Sequence, residues 1–101
     1  FTDPGCPACD KVYPALHEAS LAIPVVVVAQ HGLSEMVAKA AALDWSYPVY
    51  YDTTEALSDA LGVRSFPTAI WVDEQGKMRK AASGDLSVER VIKQALASVE
   101  L

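Results

Sequence analysis

The sequence predicts an α/β sandwich, a mixed sheet with flanking helices, in one domain over residues 1–101. Three observations carry that expectation. The valine run at residues 25–28 has the β-branched, unbroken composition of a strand covered on both faces in a parallel sheet. Several segments repeat apolar residues at helical spacing. Near the end, two short extended segments flank a glycine-containing turn, which is the pattern of an antiparallel hairpin. The resulting order is helix, strand, helix, short strand, helix, hairpin, helix.

Each element has its own signal. Residues 2–5, Thr-Asp-Pro-Gly, read as a loop, and a helix is expected over 7–20 with Pro7 in its first turn. Pro14 removes a hydrogen bond inside that helix and predicts a kink. The strand at 25–28 is bounded by Pro24 and Gly32. Leu33, Met36, Val37, Ala40 and Ala41 then mark a helix over about 34–43, with Ser34 as its N-cap. Residues 48–51 form a short extended piece. Asp52 and Glu55 resemble a capping box, followed by an apolar stripe of Ala56, Leu57, Ala60 and Leu61 that Gly62 and Val63 terminate. Residues 68–72 and 77–82 pair across a turn in which Gly76 supplies a positive φ. Val88, Val91, Ile92, Ala95, Leu96 and Val99 define a closing helix from about Ser87.

Composition narrows the function classes. With 101 residues and 51% hydrophobic content the chain builds one core and has no room for a second domain. The net charge is −5 and the basic residues are scattered, so the footprint that phosphate backbones require is missing and nucleic acid is excluded as a partner. The longest apolar run, residues 23–29, is far short of the roughly 20 residues of a membrane span. Phe1 reads as the inside of a folded element. The natural protein is therefore expected to continue upstream into an apolar strand, which leaves an upstream signal or anchor open.

The chemistry-bearing motif is Gly5-Cys6-Pro7-Ala8-Cys9. Two cysteines this close brace little, because a crosslink constrains more when it closes a longer loop. At the mouth of a helix the unpaired amides favour negative charge, so the thiol pKa of Cys6 is expected below the free value of about 8.5. Cys6 is then the attacking sulfur, and Cys9, one turn further in, the resolving one. A dithiol pair needs no cofactor. Zinc sites built on C-x-x-C want a second ligand pair, and His17 and His31 do not supply that spacing, so no metal is expected. An inert disulfide is the bland alternative for the same two residues.

Other conspicuous side chains have plainer readings. Trp71, Tyr50 and Tyr51 are expected in the core or in strands. Trp45 reads equally as a groove wall or a packing plug. His17 is expected in solvent, as are Asp10 and Lys11. His31 stands at a strand end, with the active-site edge as its second reading. Arg64 is expected exposed in a loop, with substrate contact as the alternative. Lys77, Arg79 and Lys80 guard an edge strand.

The segment from Phe1 to Leu16, with Cys6, Cys9 and Pro14 in place, resembles the active-site segment of thioredoxin-like proteins, and more closely that of the TlpA/ResA group of exported or membrane-tethered bacterial thiol–disulfide proteins. Residues 62–77, Gly-Val-Arg-Ser-Phe-Pro-Thr-Ala-Ile-Trp-Val-Asp-Glu-Gln-Gly-Lys, resemble that group's stretch carrying a cis-proline loop opposite the cysteines. The resemblance implies a thioredoxin-like three-layer sandwich, thiol–disulfide oxidoreductase activity at Cys6 and Cys9, and a cis Phe66–Pro67 bond. It also implies a substrate surface over Gly5, Pro7, Phe66, Pro67 and Thr68, where the free backbone of Phe66 pairs with an extended chain. The implied partners are protein thiols and disulfides and an upstream electron donor or acceptor. The implied location is exported, in the bacterial periplasm or cell envelope.

Three residues depart from the family pattern. Gly5 replaces a frequent Trp, Ala8 a frequent Pro or His, and Val12 a frequent Glu near the buried thiol. The leading expectation is a dithiol reductant of protein disulfides. An oxidant or isomerase on the same centre, and a non-catalytic module that binds through the Phe66–Pro67 groove, are the alternatives.

Overall fold

The computed structural model describes residues 1–99; the expected domain limit takes in residues 100–101, which lie outside the described residues. The elements are α1 (Pro7–Asp10), α2 (Tyr13–Ser20), β1 (Val27–Ala29), α3 (Leu33–Ala42), β2 (Val49–Tyr51), α4 (Ala56–Leu61), β3 (Thr68–Val72), β4 (Met78–Ser83) and α5 (Asp85–Val99). β1 and β2 are parallel, with Val27 opposite Val49. β3 and β4 are antiparallel, with Thr68 opposite Ser83.

Residues 1–2 join the two ladders. Thr2 bridges Ala29 in parallel and donates its amide to the Val28 carbonyl at 2.9 Å. On the other side Phe1 and Thr68 exchange two bonds, from the Phe1 nitrogen at 2.7 Å and from the Thr68 amide at 3.1 Å. Such a reciprocal pair is antiparallel. The order β2, β1, residues 1–2, β3, β4 is therefore the expected mixed sheet, with residues 1–2 at its centre.

Several local expectations are corrected. The helix over 7–20 is two helices, not one kinked helix. Pro14 has no N–H for the Asp10 carbonyl, so α1 closes with the Val12 amide on the Cys9 carbonyl at 3.1 Å, and Pro14 takes a first-turn place in α2. The strand begins at Val27, not Val25, because its partner arrives only there: the Val27 amide bonds the Pro48 carbonyl at 3.0 Å, while Val26 stays exposed. The residue at the start of α3 is Gly32, at φ +68°, in place of Ser34.

α4 departs furthest. Asp52 does cap it, accepting the amides of Leu57 at 3.1 Å and Ser58 at 2.8 Å and the Ser58 hydroxyl at 2.9 Å. Glu55 makes no reciprocal bond; it sits at φ +62°. Those bonds turn Ser58 inward, so Ser58 is buried while Ala56, Ala60 and Leu61 of the expected apolar stripe face solvent.

The core has two parts. Val12 and Ala19 pack on Val88 and Ile92 of α5, with Ala69 of β3 against them. Val27, Ala29, Met36 and Tyr47 form the second, with Trp45 alongside. The Trp45 ring lies 4.9 Å from Tyr13 and 5.2 Å from Tyr47, which makes it a packing plug. Tyr50 lies in β2, as the strand reading has it, and is half exposed. Trp71 is partly buried under the Arg79 guanidinium, 5.4 Å away. β4 is an exposed edge strand carrying Arg79 and Lys80.

Asp52 gives this fold an acid limit. Burial pulls its carboxyl pKa up, yet the three hydrogen bonds from Ser58 and Leu57 outweigh burial and hold it below the usual 3.8. A carboxyl depressed in the folded state contributes stability above its unfolded pKa, and that contribution is lost as pH falls through the folded value. Denaturant midpoints followed from neutral pH to about pH 3 are therefore expected to fall more steeply for the wild type than for Asp52→Asn, which is the less stable of the two at neutral pH. Parallel curves would remove Asp52 from the acid response.

Candidate active site

Pro7 fixes the first helical φ, and Cys6, just outside α1 with extended backbone (φ −105°, ψ 105°), is left as its N-cap. The Cys9 amide consequently points back at the Cys6 sulfur, 3.1 Å away. Cys6 and Cys9 are joined as a disulfide, with Cα atoms 5.2 Å apart. Cys9 is fully buried and Cys6 partly exposed, the asymmetry expected of resolving and attacking sulfurs. Because α1 has four residues, stabilisation of a Cys6 anion comes from adjacent amides more than from a long aligned dipole.

The loop before Cys6 is held by Asp3. Its Oδ2 accepts the Gly5 amide at 3.0 Å, and its carbonyl accepts the Cys6 amide at 3.2 Å. Its Oδ1 lies 2.9 Å from His31 Nδ1, so His31 reaches the active-site edge, its second reading. Beneath, Gly32 packs so tightly on Pro4 that a Cβ there would stand 2.5 Å from Pro4 Cγ. His17 is exposed, as expected. Asp10 and Lys11 are exposed too, but Asp10 is ion-paired to Lys39 and Lys11 to Asp85.

The second loop arrives through the sheet. Antiparallel pairing of Phe1 with Thr68 lays the chain leaving Phe1 alongside the chain entering Thr68, so the cysteine loop and residues 66–67 emerge at the same end of the sheet. The Phe66–Pro67 peptide bond is cis. Pro67 is buried and its carbonyl accepts the Gly84 amide at 2.9 Å. Within the described residues the Phe66 amide and carbonyl carry no hydrogen bond. Thr68, expected on the substrate surface, is buried: its hydroxyl bonds the Ser65 carbonyl and Ser83 Oγ, both at 2.7 Å, and its backbone holds Phe1. It supports the turn from behind. Gly5 and Pro7 are exposed and Phe66 partly so.

Beside Phe66 a cleft of about 390 Å³ runs between the end of β1 and α4, lined by Gln30, His31, Ser58, Asp59 and Arg64. Arg64 is exposed, 3.7 Å from Asp59. Val12 is locked in the core and offers Cys9 no proton acceptor. Tyr13 bonds Thr2 at 2.6 Å within the fold, and burial holds its phenol pKa above the ordinary value.

Sequence reasoning missed Asp3, Gly32 and Lys39 as parts of this site. An Asp two residues before a glycine amide is a recognisable turn signal. The contacts of Gly32 and Lys39 with the loop, across about thirty residues of sequence, leave no local mark.

The Thioredoxin-like domain family profile matches residues 1–99. The crystal structure of StoA from Bacillus subtilis is similar in fold, with a TM-score of 0.74 and 20% identity over 92% of this chain and 76% of that one. The search of curated proteins returned no match. No helix among the described residues is long and apolar enough to cross a membrane.

Proposed function

Because the chain belongs to the thioredoxin-like domain family and is a thiol–disulfide oxidoreductase, we propose that it reduces disulfides of other proteins through Cys6 and Cys9. The observation that carries this reading is the Cys9 amide 3.1 Å from the Cys6 sulfur, with Cys9 itself buried. In the reduced protein that amide favours the Cys6 thiolate, while Cys9 waits out of solvent.

The reaction is two exchanges. Cys6 thiolate attacks one sulfur of the substrate disulfide; that bond breaks, a mixed disulfide forms, and the departing substrate thiolate takes a proton. Cys9 then loses its proton to water, attacks the Cys6 sulfur and releases the second substrate thiolate. Two electrons pass to the substrate, and a separate dithiol donor restores Cys6 and Cys9. Exposed Gly5 and Pro7, with the unbonded Phe66 backbone beside Pro67, form the surface for an extended substrate segment. Export to the bacterial cell envelope follows from the TlpA/ResA likeness.

Equilibration with a thiol–disulfide buffer tests the direction. A potential near about −270 mV supports a reductant, and one near about −120 mV makes the protein an oxidant.

A further inference from the structure

One cation ties down both shoulders of the cysteine segment. Lys39, on α3, donates from Nζ to the Pro4 carbonyl at 3.2 Å and to Asp10 Oδ1 at 2.6 Å, and lies 5.7 Å over the Tyr13 ring. Pro4 precedes Cys6 by two residues and Asp10 follows Cys9 by one. The Lys39 side chain is only 22% exposed. A charge so placed acts through a medium less screening than water. The other cation on the segment, Lys11, is 71% exposed and 3.8 Å from Asp85, where solvent screens it. Asp3, the remaining charged group of the loop, is engaged by His31.

We propose that Lys39, its charge held on the cysteine segment by Pro4 and Asp10, is a positioning residue of the redox couple that acts through that charge and biases the centre toward its thiolate form. This rests on the reversible dithiol proposed above. The disulfide is uncharged at sulfur, whereas the reduced centre carries an anion on Cys6, so a cation on this segment favours the reduced state. Asp10 opposes it: the carboxylate draws the Lys39 charge to itself and adds a negative one.

The opposition supplies the test on the full chain. Two readouts are used: the pH dependence of Cys6 alkylation in the reduced protein, and the equilibrium with glutathione at a pH where Cys6 is ionised. In that equilibrium the disulfide takes two electrons and two protons from two glutathione thiols, which become glutathione disulfide, and Cys6 then gives one proton to solvent. Lys39→Met is expected to raise the proton affinity of Cys6 about tenfold and to lower the reduced fraction correspondingly, about 30 mV for a tenfold change. Asp10→Asn is expected to move both readouts the other way, and Lys39→Arg to return them toward wild type.

Shifts of opposite sign establish the role. Unchanged readouts, or shifts of the same sign in both variants, overturn it, because loss of a merely structural clamp acts alike from either partner. Should Lys39→Met fail to fold by circular dichroism, Lys39→Gln, which keeps a donor for the Pro4 carbonyl without the charge, decides in its place: a raised proton affinity at Cys6 supports the role, and an unchanged or lowered one refutes it. A wild type that never equilibrates with glutathione overturns the underlying activity instead.

Discussion

Cys6→Ala is expected to abolish turnover of a small aromatic disulfide, with a loss on the order of 10³-fold or more, while Cys9→Ala is expected still to attack but to stall as a covalent adduct. The two outcomes differ because the two sulfurs differ in burial. Cys6 is partly exposed and accepts the Cys9 amide at 3.1 Å, so it reaches an incoming disulfide. In the proposed reaction fully buried Cys9 would meet only the mixed disulfide that Cys6 has formed. Mass spectrometry of the Cys9→Ala protein after incubation should show the substrate half attached at Cys6. Turnover that survives in Cys6→Ala would return the chain to the binding-module reading.

Gly32→Ala is expected to damage the same site from below. The backbone there holds φ +68°, where a Cβ costs about 1–2 kcal/mol, and the added carbon would stand 2.5 Å from Pro4 Cγ and 3.3 Å from Glu35 Oε2. Forcing Pro4 aside adds an overpacking cost, so the loss of stability should total about 2–4 kcal/mol. Pro4 lies two residues before Cys6, so turnover should fall as well. Gly76→Ala is the control: it stands at φ +81° with open space around it, so it carries the backbone cost alone and should keep full turnover. Chemical denaturation and a turnover assay on both variants separate strain from collision. Equal turnover in the two would mean that Gly32 does not brace the loop.

How much of this was legible in the sequence depended on how local each cause is. The cysteine motif was readable because its chemistry resides in two residues three apart, and the hairpin because Gly76 and its flanks are contiguous. The mixed sheet followed from element order. Pro14 was seen but its effect misjudged: a missing N–H predicts a disturbed helix, and whether the chain bends or restarts depends on whether Val12 finds another acceptor, here Cys9. On α4 the apolar residues suggested one inner face, but Asp52 took the amides of Leu57 and Ser58 and set the rotation. Tyr50 was legible as a strand residue, but which face of β2 meets solvent was not. The Lys39 contacts were invisible, since both partners lie about thirty residues upstream.

The separation of α1 from α2 has a mechanical corollary. Cys6 caps the four-residue α1 and Cys9 lies within it, and the hydrogen bonding of that helix ends at the Val12 amide, where the chain is fixed together with Ala19 against α5. A rearrangement that accompanies making or breaking the sulfur–sulfur link would have to be taken up before Val12, which is held in the core against Val88 and Ile92. The packing of Val12 and Ala19 on α5 would then lie outside such a change.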